Sequence, residues 1–242
     1  MNNVALITIF FDYPDFKIPS FYDNALKYFK KNDIHIIRCN DEIVDGTIYD
    51  RISFHKIIKV YEYIKKEIFG KYDYILFMDG NDTNFYKEPY GLIEDFIKLN
   101  KSIIFCGEVV QWPFNRKINE LYDNKEKLSE ARFLNSGQYF GYTDKIFLHL
   151  KNIILEYENE SGIDDQGRWV TEYLKTDDIL VDQNRIFFFS TYDTKKYIEF
   201  TTSGLMLKNI SPYFIHDNGP ESDNTIKITE FLNIKKSIKT MI

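Results

Sequence analysis

Four short runs of apolar, β-branched and aromatic residues, at 4–11, 34–38, 74–78 and 102–106, are separated by stretches whose apolar positions recur at helical spacing. This alternation restricts the fold more than any other feature of the chain. A run such as Val4-Ala-Leu-Ile-Thr-Ile-Phe-Phe11 has no polar face, so its strand has to be covered on both sides, as parallel strands crossed by helices are. Pro19 and Ser20 open a helical stretch to about residue 31, with Phe21, Ala25, Tyr28 and Phe29 on one stripe. Phe54, Ile57, Ile58, Tyr61, Ile64 and Ile68 form a second stripe over 51–69, ending at Gly70. Pro89 starts a third, shorter helix to about residue 99. Strands alternating with helices in this way predict an α/β fold with a mainly parallel, Rossmann-like central sheet flanked by helices.

The second half is less regular. Residues 107–115 read as a loop, 116–130 as polar and partly helical, and 132–142 as an aromatic-rich strand with small residues inside it. Helices are expected over 144–158 and 167–174, short strands near 179–181, 185–189 and 213–216, and a packed amphipathic helix over 228–242. No repeat, low-complexity block or Gly/Ser linker interrupts the sequence, so residues 1–242 are expected to form one domain.

The net charge of -6 argues against a broad nucleic-acid surface, which relies on clustered Lys and Arg. Cys39 and Cys106 are too few for a zinc site or a disulfide framework and read as two free, buried thiols. Met1-Asn-Asn-Val lacks a basic leader and no apolar run approaches membrane-spanning length, so a cytoplasmic protein without a transmembrane segment is expected.

The run at 74–78 ends in Asp79-Gly-Asn-Asp82, which puts two carboxylates at a strand tip. In an open α/β sheet the crevice beyond the carboxyl ends of the strands binds ligands, and acids there suit a divalent cation and the phosphates it neutralises. A plain Asx-type turn explains the same residues. His216 also ends a strand, and with Asp79 and Asp82 it makes three potential ligands for Mn²⁺, Mg²⁺ being the alternative. Asp164 and Asp165 precede a helix and read equally as an N-cap with a dipole-complementing neighbour.

The order of Asp79-Gly-Asn-Asp82, Trp112-Pro113, Phe133-Leu-Asn-Ser-Gly137 with Gly141-Tyr142, Asp164-Asp-Gln166 and His216-Asp-Asn-Gly-Pro220 resembles the glycosyltransferase domain of the procollagen lysyl hydroxylases and their relatives. The resemblance covers nearly the whole chain and implies a GT-A fold, Mn²⁺ and a UDP-sugar donor. Several members transfer glucose to galactosyl-hydroxylysine in collagen. By that resemblance Asp79, Asp82 and His216 hold the metal, while Asp164 and Asp165 lie near the transferred sugar as the catalytic acids. Lys56 falls in the donor region, with a helix-surface lysine as the other reading. Trp112 stands at the mouth of the sugar site, and Asn135, Ser136 and Gly137 line it; Thr8, Gln166, Asn218 and Gly219 are also given to substrate binding.

The chain departs from the family pattern at three places. Gln138 and Asp217 each stand where a glycine is usual, and Glu221-Ser-Asp stands in place of the usual Thr-Lys, a change that removes an expected phosphate-contacting lysine. Nothing resembles the iron and 2-oxoglutarate hydroxylase domain, so a stand-alone transferase is expected. The expected activity is transfer of a hexose, glucose favoured over galactose, from a UDP-sugar to galactosyl-hydroxylysine, another glycan or a glycosylated protein. The alternatives are a non-catalytic nucleotide-sugar or glycan binding protein, and a metal-dependent phosphohydrolase.

Overall fold

A computed structural model describes residues 3–11, 20–39, 48–80, 82–113, 116–157, 164–192, 194–201 and 204–218. Strands β1 (Val4–Phe11), β2 (Ile34–Cys39) and β3 (Tyr74–Met78) are parallel, with β1 between the other two. Helix α1 (Ser20–Ala25) precedes β2, and α2 (Ile48–Tyr63) precedes β3. The main sheet is completed by β5 (Ile103–Glu108), β6 (Phe133–Tyr142) and β7 (Ile179–Asp182), in the order β2-β1-β3-β6-β5-β7. Strand β6 runs antiparallel to both neighbours, β3 and β5, whereas β5 and β7 are parallel. The α/β sheet is thus mixed and mainly parallel, as the apolar runs require.

Alternation along β3 divides the core. Ile75 and Phe77 face one side, where Phe105, Tyr139 and Trp169 meet the helices α2, α5 (Thr143–Tyr157) and α6 (Asp165–Lys175). Leu76 and Met78 face the other, against Ile104, Phe140 and Phe96 of α3 (Leu92–Lys98). That second side is closed by a three-stranded sheet, β4 (Thr83–Phe85), β11 (Phe214–His216) and β8 (Phe188–Ser190), with β11 in the middle. Phe188 and Phe214 stack with ring centroids 5.6 Å apart. Helix α4 (Arg116–Asp123) and the hairpin β9 (Ile198–Thr201) and β10 (Gly204–Leu207) are the remaining α-helix and strands among the described residues.

The differences from the sequence expectation have local causes. Helix α1 stops at Ala25 rather than near residue 31, and the chain turns so that Tyr28 and Phe29 reach Phe85 at 5.3 and 6.3 Å. Helix α3 begins at Leu92 rather than Pro89, because Gly91 adopts a left-handed φ of 87° and interrupts the turn. The 51–69 stripe is continuous, but its last turn, Ile64–Ile68, widens to π geometry, with Phe69 N–H donating to Ile64 O at 2.8 Å. Cys106 is a free buried thiol, whereas the Cys39 side chain and residues 228–242 lie outside the described residues. Among the described residues no helix is long and apolar enough to cross a membrane.

Candidate functional site

Strand β3 delivers its acids where the β3–β6 ladder runs out. Asp79 N–H still donates to Gly137 O at 2.8 Å, and Thr83 Oγ1 donates to Asp79 O. Four residues after Asp79 β4 begins, and its Thr83 pairs with His216 at the end of β11. Asp217 N–H donates to Asp82 O at 2.7 Å, so the acidic turn is stapled to the strand that carries the histidine. One potential ligand atom each from Asp79, Asp82 and His216 lies within 4.8 Å of the others. His216 Nε2 is 3.3 Å from Asp82 Oδ2.

The histidine is oriented by Asn135. Asn135 Oδ1 accepts from Gly137 N–H at 2.9 Å, which fixes the amide, and so His216 Nδ1, 2.9 Å from the same oxygen, carries a proton. Nε2 is left facing the two acids, in the manner of a histidine ligand tuned by its other nitrogen. Burial opposes charging of the ring, but Asp82 and then Asp79 outweigh it and raise its pKa. Gly137 is required by contact: a Cβ there would lie 2.1 Å from His216 Cε1. Burial pushes Asp79 up to about 6 against the opposing pull of Lys56.

Lys56 is not a helix-surface lysine. Its side chain is 12% exposed, and Nζ lies 2.8 Å from Asp79 Oδ1 and 2.8 Å from Asp165 Oδ2. Burial disfavours the ammonium, but Asp165 and Asp79 together hold its pKa above the ordinary value. Asp165 Oδ2 also accepts from Ser136 Oγ at 2.8 Å. Asp164 takes the capping role: Oδ1 accepts from Gly167 N–H at 2.7 Å at the start of α6, while Oδ2 accepts from Trp112 Nε1. Trp112 itself is 53% exposed.

The sequence reading missed Glu108. It ends β5 as Asp79 follows β3, and it is buried. Its Oε1 accepts from Gln166 Nε2 at 2.6 Å, and its Oε2 from Asn135 Nδ2 at 3.1 Å and Asn218 Nδ2 at 3.0 Å. Burial pushes its carboxyl up to about 7, and the three amide donors oppose that rise. Asn135, Gln166 and Asn218 therefore surround a buried acid with their side-chain amides. Thr8 is fully buried in the middle of β1, and its Oγ1 has no hydrogen-bond partner among the described residues.

Two of the departures from the family pattern hold β11 in position. Gln138 Nε2 donates to Ile215 O at 3.0 Å, and Asp217 Oδ1 accepts from Thr191 Oγ1 at 2.7 Å. Gly219 and Glu221-Ser-Asp lie outside the described residues.

This geometry can be set beside known proteins. A family model described as the PLOD GT domain matches residues 24–240. The chain is 26% identical over 127 residues to "Uncharacterized protein R699" of Acanthamoeba polyphaga mimivirus; the match covers 52% of this chain and 26% of that protein's length. Among solved structures, the fold is similar to that reported as "Crystal structure of a glycosyltransferase involved in the glycosylation of the major capsid of PBCV-1". The TM-score is 0.57 at 12% identity, over 95% of this chain and 99% of that one. The family match spans every described element from β2 to β11 and all three candidate ligands, and the chain accordingly belongs to the PLOD GT domain family of glycosyltransferases.

Proposed function

We propose that the chain is a metal-dependent hexosyltransferase that uses a UDP-sugar, glucose favoured over galactose, to glycosylate a hydroxyl of a glycan or glycosylated protein. The observation that carries this reading is the convergence of Asp79, Asp82 and His216 within 4.8 Å in a chain of this family. The donor set fits Mn²⁺, with Mg²⁺ as the alternative: two carboxylates and one imidazole leave positions for phosphate oxygens and water. The glycine at 137 leaves the room that the imidazole occupies. A bound cation would neutralise the diphosphate as it leaves the sugar.

The remaining roles fall to the chain's own residues. Asn135 holds His216 with Nε2 toward the acids. Both carboxyl oxygens of Asp164 are engaged, by Gly167 N–H and by the Trp112 indole, so Asp164 positions the exposed Trp112 that an acceptor would meet. Asp165, held by Ser136 and Lys56, is the better placed of the two acids to stabilise positive charge developing at the anomeric carbon. Gln166 and Asn218 act indirectly, through Glu108.

The test is UDP release with UDP-glucose and UDP-galactose against galactosyl-hydroxylysine peptides and a glycan panel, in Mn²⁺, Mg²⁺ or chelator. Transfer is expected only with metal, and Asp82→Ala should reduce it about a hundredfold or more. Transfer that survives chelation defeats the metal reading. Tight UDP binding without transfer to any acceptor would make the chain a binding protein instead.

A further inference from the structure

Lys56 is a cation that already occupies one of the proposed metal ligands. Its Nζ is 2.8 Å from Asp79 Oδ1 and 3.1 Å from Asp79 Oδ2, so it engages both oxygens of that carboxylate. The same nitrogen is 2.8 Å from Asp165 Oδ2 and 5.3 Å from the centre of the Phe77 ring. With the side chain 12% exposed, the ammonium has little access to water and depends on these two carboxylates. A divalent cation at Asp79, Asp82 and His216 would share Asp79 with it, and two cations on one carboxylate repel. That repulsion falls when an anionic diphosphate adds negative charge beside both.

We propose that Lys56 is an internal competitor for Asp79 that makes divalent-cation binding depend on the nucleotide. Asp165 is the second anchor in this arrangement: it draws the ammonium away from Asp79. The proposal rests on the reading of Asp79, Asp82 and His216 as the metal ligands. Because binding free energies are reciprocal, the nucleotide tightens the metal by the same factor as the metal tightens the nucleotide.

The experiment measures Mn²⁺ affinity by electron paramagnetic resonance of the free ion, with and without UDP, in the intact protein. Lys56→Met should bind Mn²⁺ about tenfold more tightly than wild type without UDP and gain less from added UDP. Asp165→Asn should do the opposite, because Lys56 is left with Asp79 alone: Mn²⁺ affinity without UDP should fall by a similar factor. Opposite signs separate competition from scaffolding, since loss of a structural ion pair would weaken Mn²⁺ binding in both variants. Circular dichroism melts check folding, and if Lys56→Met does not fold, Lys56→Gln, which also removes the charge and should likewise tighten Mn²⁺ binding without UDP, takes its place. Shifts in the same direction, or none in either variant, overturn the proposal while leaving the metal site intact. No Mn²⁺ uptake by wild type even with UDP overturns both this proposal and the reading on which it rests.

Discussion

Strand β6 passes through two different environments in ten residues. From Tyr139 to Tyr142 it lies in an aromatic core: Tyr139 stacks on Phe77 at 4.7 Å and meets Trp169, while Phe140 stacks on Tyr74 at 5.6 Å and meets Phe96 edge-on at 5.0 Å. From Asn135 to Gln138 every side chain that has one is hydrogen-bonded to a particular partner, respectively Glu108 and His216, Asp165, and Ile215 O. The boundary is a bulge. Phe105 of β5 pairs with Tyr139 but the next residue, Cys106, pairs with Asn135, so Ser136, Gly137 and Gln138 have no partner on β5. The aromatic half is held by area and shape, which neighbours can share; the polar half is held by single bonds, which they cannot.

Mutations can break that contrast. Phe140→Ala should have the largest effect on stability, about 3–5 kcal/mol by chemical denaturation, while the folded protein keeps its Mn²⁺ affinity. A large loss of metal binding in that folded protein would mean the two halves are not separable. Gly137→Ala should cost less, about 1–3 kcal/mol, yet greatly impair metal binding, because its Cβ displaces the His216 ring. Asn135→Ala should weaken Mn²⁺ binding about 10–100-fold in a titration, the range for loss of an outer-shell partner.

Glu108→Gln should be the mildest change, and its signature is pH. The Glu108 carboxyl has its pKa raised from the ordinary 4.5 to about 7, so the fold favours the protonated form. Its contribution to stability is full below 4.5 and is lost as pH rises through about 7. The melting-temperature advantage of wild type over Glu108→Gln should therefore shrink between about pH 5 and about pH 8. A gap that widens over that range would show that the three amides stabilise the ionised acid more than burial opposes it.

Asp79 and Asp82 were legible because an uninterrupted apolar run stops at Met78 and the acids follow at once. Glu108 has the same relation to β5, but Gly107 stands between it and the apolar run and read as the start of a loop. The structure instead continues the strand, with no room for a Cβ at Gly107, which would lie 2.4 Å from Ala131 O. Lys56 was ambiguous since a lysine beside a helical stripe ordinarily faces water; its burial depends on Asp165, which arrives from a distant helix. Asp164 shows that the capping and site readings can both describe one residue, with one oxygen serving each. Strands β4, β9 and β10 are three or four residues long, too short for an alternating pattern to declare itself. The β6 bulge is a relation between two strands, so no pattern within β6 alone announces it.

The short strand β11 has a consequence for how the protein comes into being. It supplies the histidine, pairs with the strand that follows the acidic turn, and locks Asp82 through Asp217. During synthesis the acids emerge long before that strand, so a growing chain holds two carboxylates without the imidazole that joins them. The three proposed ligands therefore come together only when β11 pairs with β4. On the proposed metal reading, Mn²⁺ uptake would come late in folding, and a refolding experiment followed by Mn²⁺ uptake should lag one followed by burial of the β1–β3 core.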